Sequence, residues 1–235
     1  MGYLTPRDRH TLSTMLQRIP HGTRLELFMP ANDPLSQEMA SLLREVAEVS
    51  PARILLQTRE VDQFPALAAL YGVRLTPTLV LLDRFGDDTG MRIVGIPTGY
   101  QFGVLVQDMV DVALGRTRLS ARSLAYLQNL DRDVEIVVAV APTCPHSPRA
   151  ARLAHHMAMA NPSRVRAFVI NAAQFPLWVR RFPVQGVPTT WITVNGEIAP
   201  PVEGVCPEDQ LIQMIRTTRV GNRSERSLPR VDSGV

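Results

Sequence analysis

The segment Cys144-Pro145-His146-Ser147 decides the fold, because it falls on Asp33-Pro34-Leu35-Ser36 when the chain is shifted by 111 positions. Three further pairs of segments match at the same shift without a gap: 50–54 with 161–165, 63–65 with 174–176, and 76–78 with 187–189. A proline recurs in register in every one of these pairs. Self-similarity at a fixed period indicates a repeated structural unit, so the sequence predicts two copies of one fold in tandem.

Both copies have the same predicted order of secondary structure, which is βαβαββα. Short apolar runs predict the strands, and apolar residues that recur at three and four predict the helices. In the first copy we expect strands at 25–28, 53–57, 79–82 and 91–94, and helices at 35–49, 66–71 and 101–114. In the second copy we expect strands at 135–140, 165–170, 190–194 and 198–202, and helices at 148–160, 177–182 and 207–218. This is the order of the thioredoxin fold, an α/β fold in which helices flank a central mixed β-sheet.

The 235 residues are enough for two units of ordinary domain size and a tail. We predict two tandem thioredoxin-like domains at 1–117 and 118–219. An extra helix over 6–19 opens the first domain, and a helix over 120–130 opens the second. Residues 220–235 are polar and lack an apolar period, so we expect them to be disordered.

Charge and composition exclude several classes of function. All 25 basic residues are Arg, which excludes lysine-dependent chemistry such as Schiff-base formation. Residues 1–117 carry a net charge of −2 and residues 118–235 one of +5, but no basic stripe with interleaved aromatics accompanies it, and we expect no nucleic-acid partner. No apolar run approaches the roughly 18 residues that span a bilayer, and the N-terminus is polar, so we expect no membrane partner and a cytoplasmic location. A monomer and a homo-oligomer both stay open.

Residues 141–154 resemble the active-site helix of the glutaredoxin-like protein disulfide oxidoreductases, which carry two thioredoxin-fold units in one chain. Gly186-Val187-Pro188-Thr189 is similar to the cis-proline segment of the same family. The resemblance implies that Pro188 is cis and faces the sulfur of Cys144. It also implies that the backbone of Val187 pairs with an extended substrate.

Two departures from the family's pattern change the expected chemistry. Ser147 stands at the position of the second active-site cysteine, and in the first unit Asp33 and Ser36 occupy both cysteine positions. A dithiol oxidoreductase needs one sulfur to attack a disulfide and another to resolve the mixed disulfide that forms. We therefore expect the first unit to be redox-inactive and the second to act with a single thiol.

Cys144 is the candidate nucleophile because it precedes a predicted helix. The thiolate is the reactive form of cysteine, and the unpaired N–H groups and dipole at a helix N-terminus stabilise it. We expect His146 to add a cation or a hydrogen-bond donor, the hydroxyl of Ser147 to donate to the sulfur, and Arg149 and Arg152 to reinforce the positive field. The alternative is that Cys144 is a small, inert helix-cap residue.

Cys206 lies at the junction of the last predicted strand and the last predicted helix. In thioredoxin-like folds this loop lies beside the active-site turn, and in glutaredoxins a similar Gly-x-Cys segment, which Gly204 to Cys206 match loosely, helps to bind glutathione. One hypothesis is that Cys206 resolves a mixed disulfide on Cys144, which requires Cα atoms within about 7 Å of each other. The other is that Cys206 is a buried or bystander thiol.

These residues support two main hypotheses of function. The first is monothiol exchange or deglutathionylation, in which the Cys144 thiolate attacks a protein disulfide or a glutathionylated sulfur, and glutathione or another small thiol serves as co-substrate. The second is a non-catalytic binding module that captures extended or thiol-containing partner proteins. A [2Fe–2S] cluster is disfavoured, because monothiol glutaredoxins that bind one use Cys-Gly-Phe-Ser and Pro145 obstructs close approach. His155 and His156 are adjacent on a helix and point about 100° apart, so we expect no metal site.

Overall fold

The computed structural model describes residues 2–17, 19–182 and 185–218. The helices are α1 (Pro6–Gln17), α2 (Pro34–Val49), α3 (Pro65–Leu70), α4 (Tyr100–Leu114), α5 (Ala121–Gln128), α6 (Ser147–Ala160), α7 (Pro176–Arg181) and α8 (Glu208–Thr217). The strands are β1 (Thr23–Met29), β2 (Ile54–Glu60), β3 (Thr78–Leu82), β4 (Asp88–Val94), β5 (Val134–Val140), β6 (Val165–Asn171), β7 (Thr189–Val194), β8 (Glu197–Ile198) and β9 (Val202–Glu203). The expected disorder of residues 220–235 falls outside the described residues.

All nine strands join into one mixed β-sheet, with the order β2-β1-β3-β4-β6-β5-β7-β8 and with β9 paired to β7. The two repeats contribute the two halves of this order, and they meet where β4 pairs in parallel with β6, from Met91–Ala167 to Val94–Ile170. The predicted fold class, two tandem thioredoxin-like units with a central mixed sheet flanked by helices, is confirmed.

Strand direction brings the important turns to one edge of the sheet. Strands β1, β2, β4, β5 and β6 run parallel to one another, whereas β3 and β7 run antiparallel to them. The turns that follow β1, β4 and β5 therefore lie at the same edge as the segments that precede β3 and β7. We call it the turn edge; it holds Asp33, Pro77, Cys144 and Pro188.

Alternating apolar side chains bury both faces of the sheet. The larger core lies on one face, under α2, α4, α6 and α8, and the strands of both repeats contribute to it. On the other face Trp178 and Phe182 pack against Trp191. The ring centroids of Trp178 and Trp191 lie 5.6 Å apart, and the two rings are nearly perpendicular. An edge-to-face arrangement of this kind adds about 0.5–1.5 kcal/mol beyond the burial of apolar area.

A buried cluster of charges joins the two repeats through α4 and α6. Arg152 of α6 pairs with Asp108 and Asp111 of α4, and both carboxylates are 1% exposed. His155 lies 2.6 Å from Asp108, and His156 lies 3.3 Å from Asp111, so the two histidines contact different carboxylates. Burial alone would raise the pKa of Asp111, but hydrogen bonds from His156 and Arg152 outweigh it and lower the pKa to about 2.

One predicted element differs from the structure. We expected a single strand over 198–202, but two two-residue strands, β8 and β9, occupy its ends. Pro200 and Pro201 lie between them. Proline has no N–H to donate to a sheet ladder, so the pairing with β7 is interrupted there.

Among the helices that the structure describes, none is both long enough and apolar enough to cross a bilayer.

Candidate functional site

Cys144 lies in the turn between β5 and α6, with its side chain partly exposed. Its backbone N–H donates to Ala141 O at 3.1 Å, which closes the turn. Its sulfur lies 3.3 Å from Val187 O. Cys144 is half-buried, whereas Pro145 and His146, which follow it in the turn, are exposed.

The surroundings of Cys144 stabilise its thiolate. Burial raises the pKa of this thiol, but hydrogen bonds from the Ser147 hydroxyl and from the backbone amides of His146 and Ser147 outweigh burial, so the pKa is lowered. Ser147 Oγ is buried, and while the thiol is neutral it has no hydrogen-bond partner among the described residues. An ionised Cys144 gives this hydroxyl the acceptor that it otherwise lacks.

Two expectations about positive charge near Cys144 need correction. His146 acts on the thiolate through its backbone amide, while its ring is exposed to solvent. The guanidinium of Arg152 is committed to the two buried carboxylates of α4 and does not serve Cys144 as a free cation. Arg149 is exposed in the first turn of α6. The stabilisation of the thiolate thus comes from hydrogen bonds at the helix N-terminus.

The Val187–Pro188–Thr189 segment and Gly204 lie on the other side of the sulfur. The Val187–Pro188 peptide bond is cis, and the hydroxyl of Thr189 donates to Gly186 O at 2.6 Å. The backbone N–H of Gly204 donates to Pro188 O at 2.7 Å. The structure therefore brings these predicted substrate-binding residues together beside Cys144.

Cys206 occupies a different environment from Cys144. It is 3% exposed and packs within the apolar core of the second repeat. Its Sγ donates to Pro207 O at 3.6 Å, and burial raises the pKa of the thiol. Both cysteines are free. Cys206 is thus a buried thiol with little thiolate character at neutral pH, and its resolving role stays a prediction.

The first repeat has the same arrangement with a carboxylate in place of the thiol. Asp33 caps α2, and its Oδ2 accepts from the Ser36 backbone N–H at 2.8 Å. The Thr76–Pro77 peptide bond is cis, and the hydroxyl of Thr78 donates to Leu75 O at 2.6 Å. The first repeat thus shares the cis-proline and the adjoining hydrogen bond of the second, but a helix-capping carboxylate stands at the place of the nucleophile.

Sequence reasoning missed the loop 95–99 of the first repeat, which lies against the Cys144 turn. The backbone N–H of Tyr100, directly after the loop, donates to Pro142 O at 2.9 Å. Gly99 has φ +56°, and a Cβ there would lie 2.4 Å from Pro142 O, so the close approach requires glycine. The two glycines of the loop were the available signal, but only the pairing of β4 with β6 reveals what they contact.

These features define the class of the protein: it has a tandem thioredoxin fold and a cysteine, Cys144, whose thiolate is stabilised by its surroundings. No family model matches the chain. It is 25% identical over 194 residues to an NADH dehydrogenase of Ferdinandcohnia aciditolerans, covering 83% of this chain and 34% of that protein. It is 27% identical over 188 residues to the alkyl hydroperoxide reductase protein AhpF of Pseudomonas putida, covering 80% and 33% respectively. The chain thus spans about a third of the length of these curated relatives.

Solved structures share the fold. A structure of AhpF from Enterococcus faecalis, a C503A mutant, superposes with a TM-score of 0.82 and 28% identity, covering 91% of this chain and 100% of that chain. A protein disulfide oxidoreductase from Aeropyrum pernix shares the fold, with a TM-score of 0.80, 22% identity and coverage of 92% and 94%. The relatives of this chain are thioredoxin-fold redox proteins.

Proposed function

We propose that the protein carries out thiol–disulfide exchange with Cys144 as its single nucleophile. The observation that carries the proposal is that Cys144 is partly exposed and that the pKa of its thiol is lowered by the hydroxyl of Ser147 and by backbone amides. A thiol with more thiolate at neutral pH reacts faster with disulfides. The redox character of the relatives supports the same proposal of thiol–disulfide exchange.

The reaction proceeds by two exchange steps. The Cys144 thiolate attacks one sulfur of a protein disulfide or of a glutathionylated cysteine; a new S–S bond forms, the old one breaks, and the electron pair leaves with the departing thiolate. Glutathione or another small thiol then attacks the mixed disulfide and regenerates Cys144. We propose that the backbone of Val187, 3.3 Å from the sulfur, aligns the substrate, with Pro188, Thr189 and Gly204 shaping the same side.

The absence of a second cysteine in the motif supports a second candidate function. With Ser147 in that position, a mixed disulfide on Cys144 persists until another thiol arrives. A long-lived mixed disulfide suits a binding module that captures thiol-containing partners.

The proposal also includes a division of the chain into two domains, at 1–117 and 118–219, and a cytoplasmic location.

One experiment separates these two functions. Reduction of a glutathionylated peptide by glutathione is measured with the unchanged protein, Cys144→Ser and Cys206→Ser. Exchange is expected to disappear in Cys144→Ser and to persist in Cys206→Ser. Turnover that survives in Cys144→Ser contradicts the proposal. No turnover, together with a partner protein trapped covalently through Cys144, supports the capture module instead.

The resolving role of Cys206 has its own test. Protein treated with diamide is analysed by mass spectrometry for an intramolecular disulfide. A Cys144–Cys206 disulfide in the unchanged protein, missing in Cys206→Ser, supports the role. If oxidised protein holds no such disulfide, regeneration depends on an external thiol alone.

A further inference from the structure

The first repeat contributes surface to the site of the second. Pro142, which accepts the Tyr100 N–H, lies two residues before Cys144, so the Cα atoms of Pro142 and Cys144 are within about 7.6 Å of each other. On the other side of the loop, Ile96 N–H donates to Gln174 Oε1 at 2.8 Å. Gly95 has φ +84°, and a Cβ there would lie 2.4 Å from the same Oε1. The loop 95–99 therefore fits closely between the Cys144 turn and the segment that follows β6.

Two large apolar side chains are exposed at this part of the turn edge. Tyr100, the first residue of α4, is 54% exposed, and Leu177, in the first turn of α7, is 66% exposed. Leu177 lies two residues beyond Phe175, whose ring would be 3.0 Å from a Cβ at Gly95. One side chain comes from each repeat, and the backbone contact of Tyr100 with Pro142 places Tyr100 next to the Cys144 turn.

We propose that Tyr100 is a specificity-determining residue for the reaction of Cys144. It contacts the polypeptide segment that carries the reacting disulfide, and it favours a segment with an apolar side chain beside the partner's cysteine. This inference rests on the proposed function. It gives the cysteine-less repeat a part in choosing the substrate, and it makes polypeptide disulfides better substrates than small disulfides of the same reactivity.

The test uses two synthetic peptides whose cysteine carries a thionitrobenzoate group in disulfide linkage. Leucine flanks the cysteine in one peptide and glycine and serine flank it in the other; Ellman's reagent serves as the small disulfide. The Cys144 thiolate attacks the peptide sulfur, the Cys144–peptide disulfide forms, and coloured thionitrobenzoate leaves with the electron pair. All variants carry Cys206→Ser, so that Cys144 is the only thiol that can react.

The protein that retains Tyr100 is expected to release thionitrobenzoate about three- to ten-fold faster from the leucine peptide than from the glycine–serine peptide. A contact with an aromatic ring contributes on this scale. Tyr100→Ala is expected to lose most of this preference and to keep its rate with Ellman's reagent. Phe85→Ala is the matched control. Phe85 is 67% exposed, in the turn between β3 and β4 at the opposite edge of the sheet.

The outcomes separate this inference from the function on which it rests. If Tyr100→Ala keeps the full preference, or slows with Ellman's reagent as much as with the peptides, Tyr100 does not determine specificity, although Cys144 remains the nucleophile. If the protein with Tyr100 reacts with none of the three disulfides, the proposed function fails and this inference fails with it. Loss of the preference in Phe85→Ala also contradicts the inference.

Discussion

The turns before α2 and α6 occupy equivalent places in the two repeats but hold different chemical groups. Asp33 accepts the Ser36 N–H, and α2 begins directly after it, at Pro34. Cys144 stands at the matching position, but α6 begins two residues later in the repeat, at Ser147. A carboxylate accepts hydrogen bonds strongly, whereas a thiol is a weak acceptor until it ionises. The same scaffold therefore holds a structural helix cap in the first repeat and a reactive thiol in the second.

Replacing the thiol by the carboxylate of the first repeat is the most direct way to break this comparison. We expect Cys144→Asp to abolish thiol–disulfide exchange completely, because no nucleophilic sulfur remains at the turn. We also expect it to stabilise the protein by about 0.5–1.5 kcal/mol, since a carboxylate at position 144 accepts the backbone amides of His146 and Ser147 that now face the thiol. Exchange assays and urea denaturation measure the two effects, with Cys206→Ser as the control that retains activity. Exchange by Cys144→Asp would contradict the account.

The helices that follow the two turns form different ion pairs, and removing these ion pairs gives the next largest expected effect, a change in unfolding free energy. In the second repeat Arg152 of α6 pairs with buried Asp108 and Asp111, whereas in the first repeat Glu45 of α2 pairs with Arg9, whose side chain is 40% exposed. Arg152→Ala removes the cation that the two buried carboxylates share, and we expect a loss of about 3–5 kcal/mol of unfolding free energy.

Arg9→Ala is the matched variant for that comparison. Exposed ion pairs contribute little, so its loss is expected to stay below about 1 kcal/mol. Urea denaturation at neutral pH measures both variants. Equal losses would mean that the contact between α4 and α6 is no more important than the contact between α1 and α2.

The pH dependence of stability probes the same contact between the repeats. The pKa of Asp111 is lowered from 3.8 to about 2 in the folded protein, so the folded state favours its ionised form. This contribution is fully present above about pH 4 and is lost as the pH falls toward 2, and it amounts to about 2 kcal/mol. We expect Asp111→Asn to remove this part of the acid sensitivity, measured by urea denaturation between pH 5 and pH 2.5.

Asp131→Asn is the control, because the side chain of Asp131 is 86% exposed. Its unfolding free energy should follow that of the unchanged protein over the whole range. If Asp111→Asn keeps the same slope with pH as the unchanged protein, Asp111 does not carry the effect.

The repeat made the local structure predictable from the sequence, whereas the contacts between the repeats could not be predicted. Period and proline register placed the helices and most strands within a few residues, because each element depends on its own apolar pattern. The pairing of β4 with β6 joins residues more than 70 positions apart, and no local pattern encodes it. The position of loop 95–99 beside Cys144 and the partners of Arg152, His155 and His156 follow from that pairing. They could not be read from the sequence for the same reason.

Removing the cap in the first repeat has the smallest expected effect. Asp33→Ala leaves the Ser36 N–H without its acceptor, and we expect a loss of about 1 kcal/mol of unfolding free energy. Asp33→Asn keeps an acceptor at this position and should lose only a few tenths. Exchange through Cys144 should be unchanged in both variants. A fall in exchange rate with Asp33→Ala would show that the first turn takes part in the chemistry.

The ionisation of Cys144 tests the central claim most directly. The rate of alkylation by iodoacetamide is followed against pH in protein that carries Cys206→Ser, alone and together with Ser147→Ala or with Ser36→Ala, its counterpart in the first repeat. The account predicts a midpoint below the ordinary thiol value of about 8.5, a higher midpoint with Ser147→Ala, and no change with Ser36→Ala. A midpoint at or above the ordinary value, unmoved by Ser147→Ala, would contradict it.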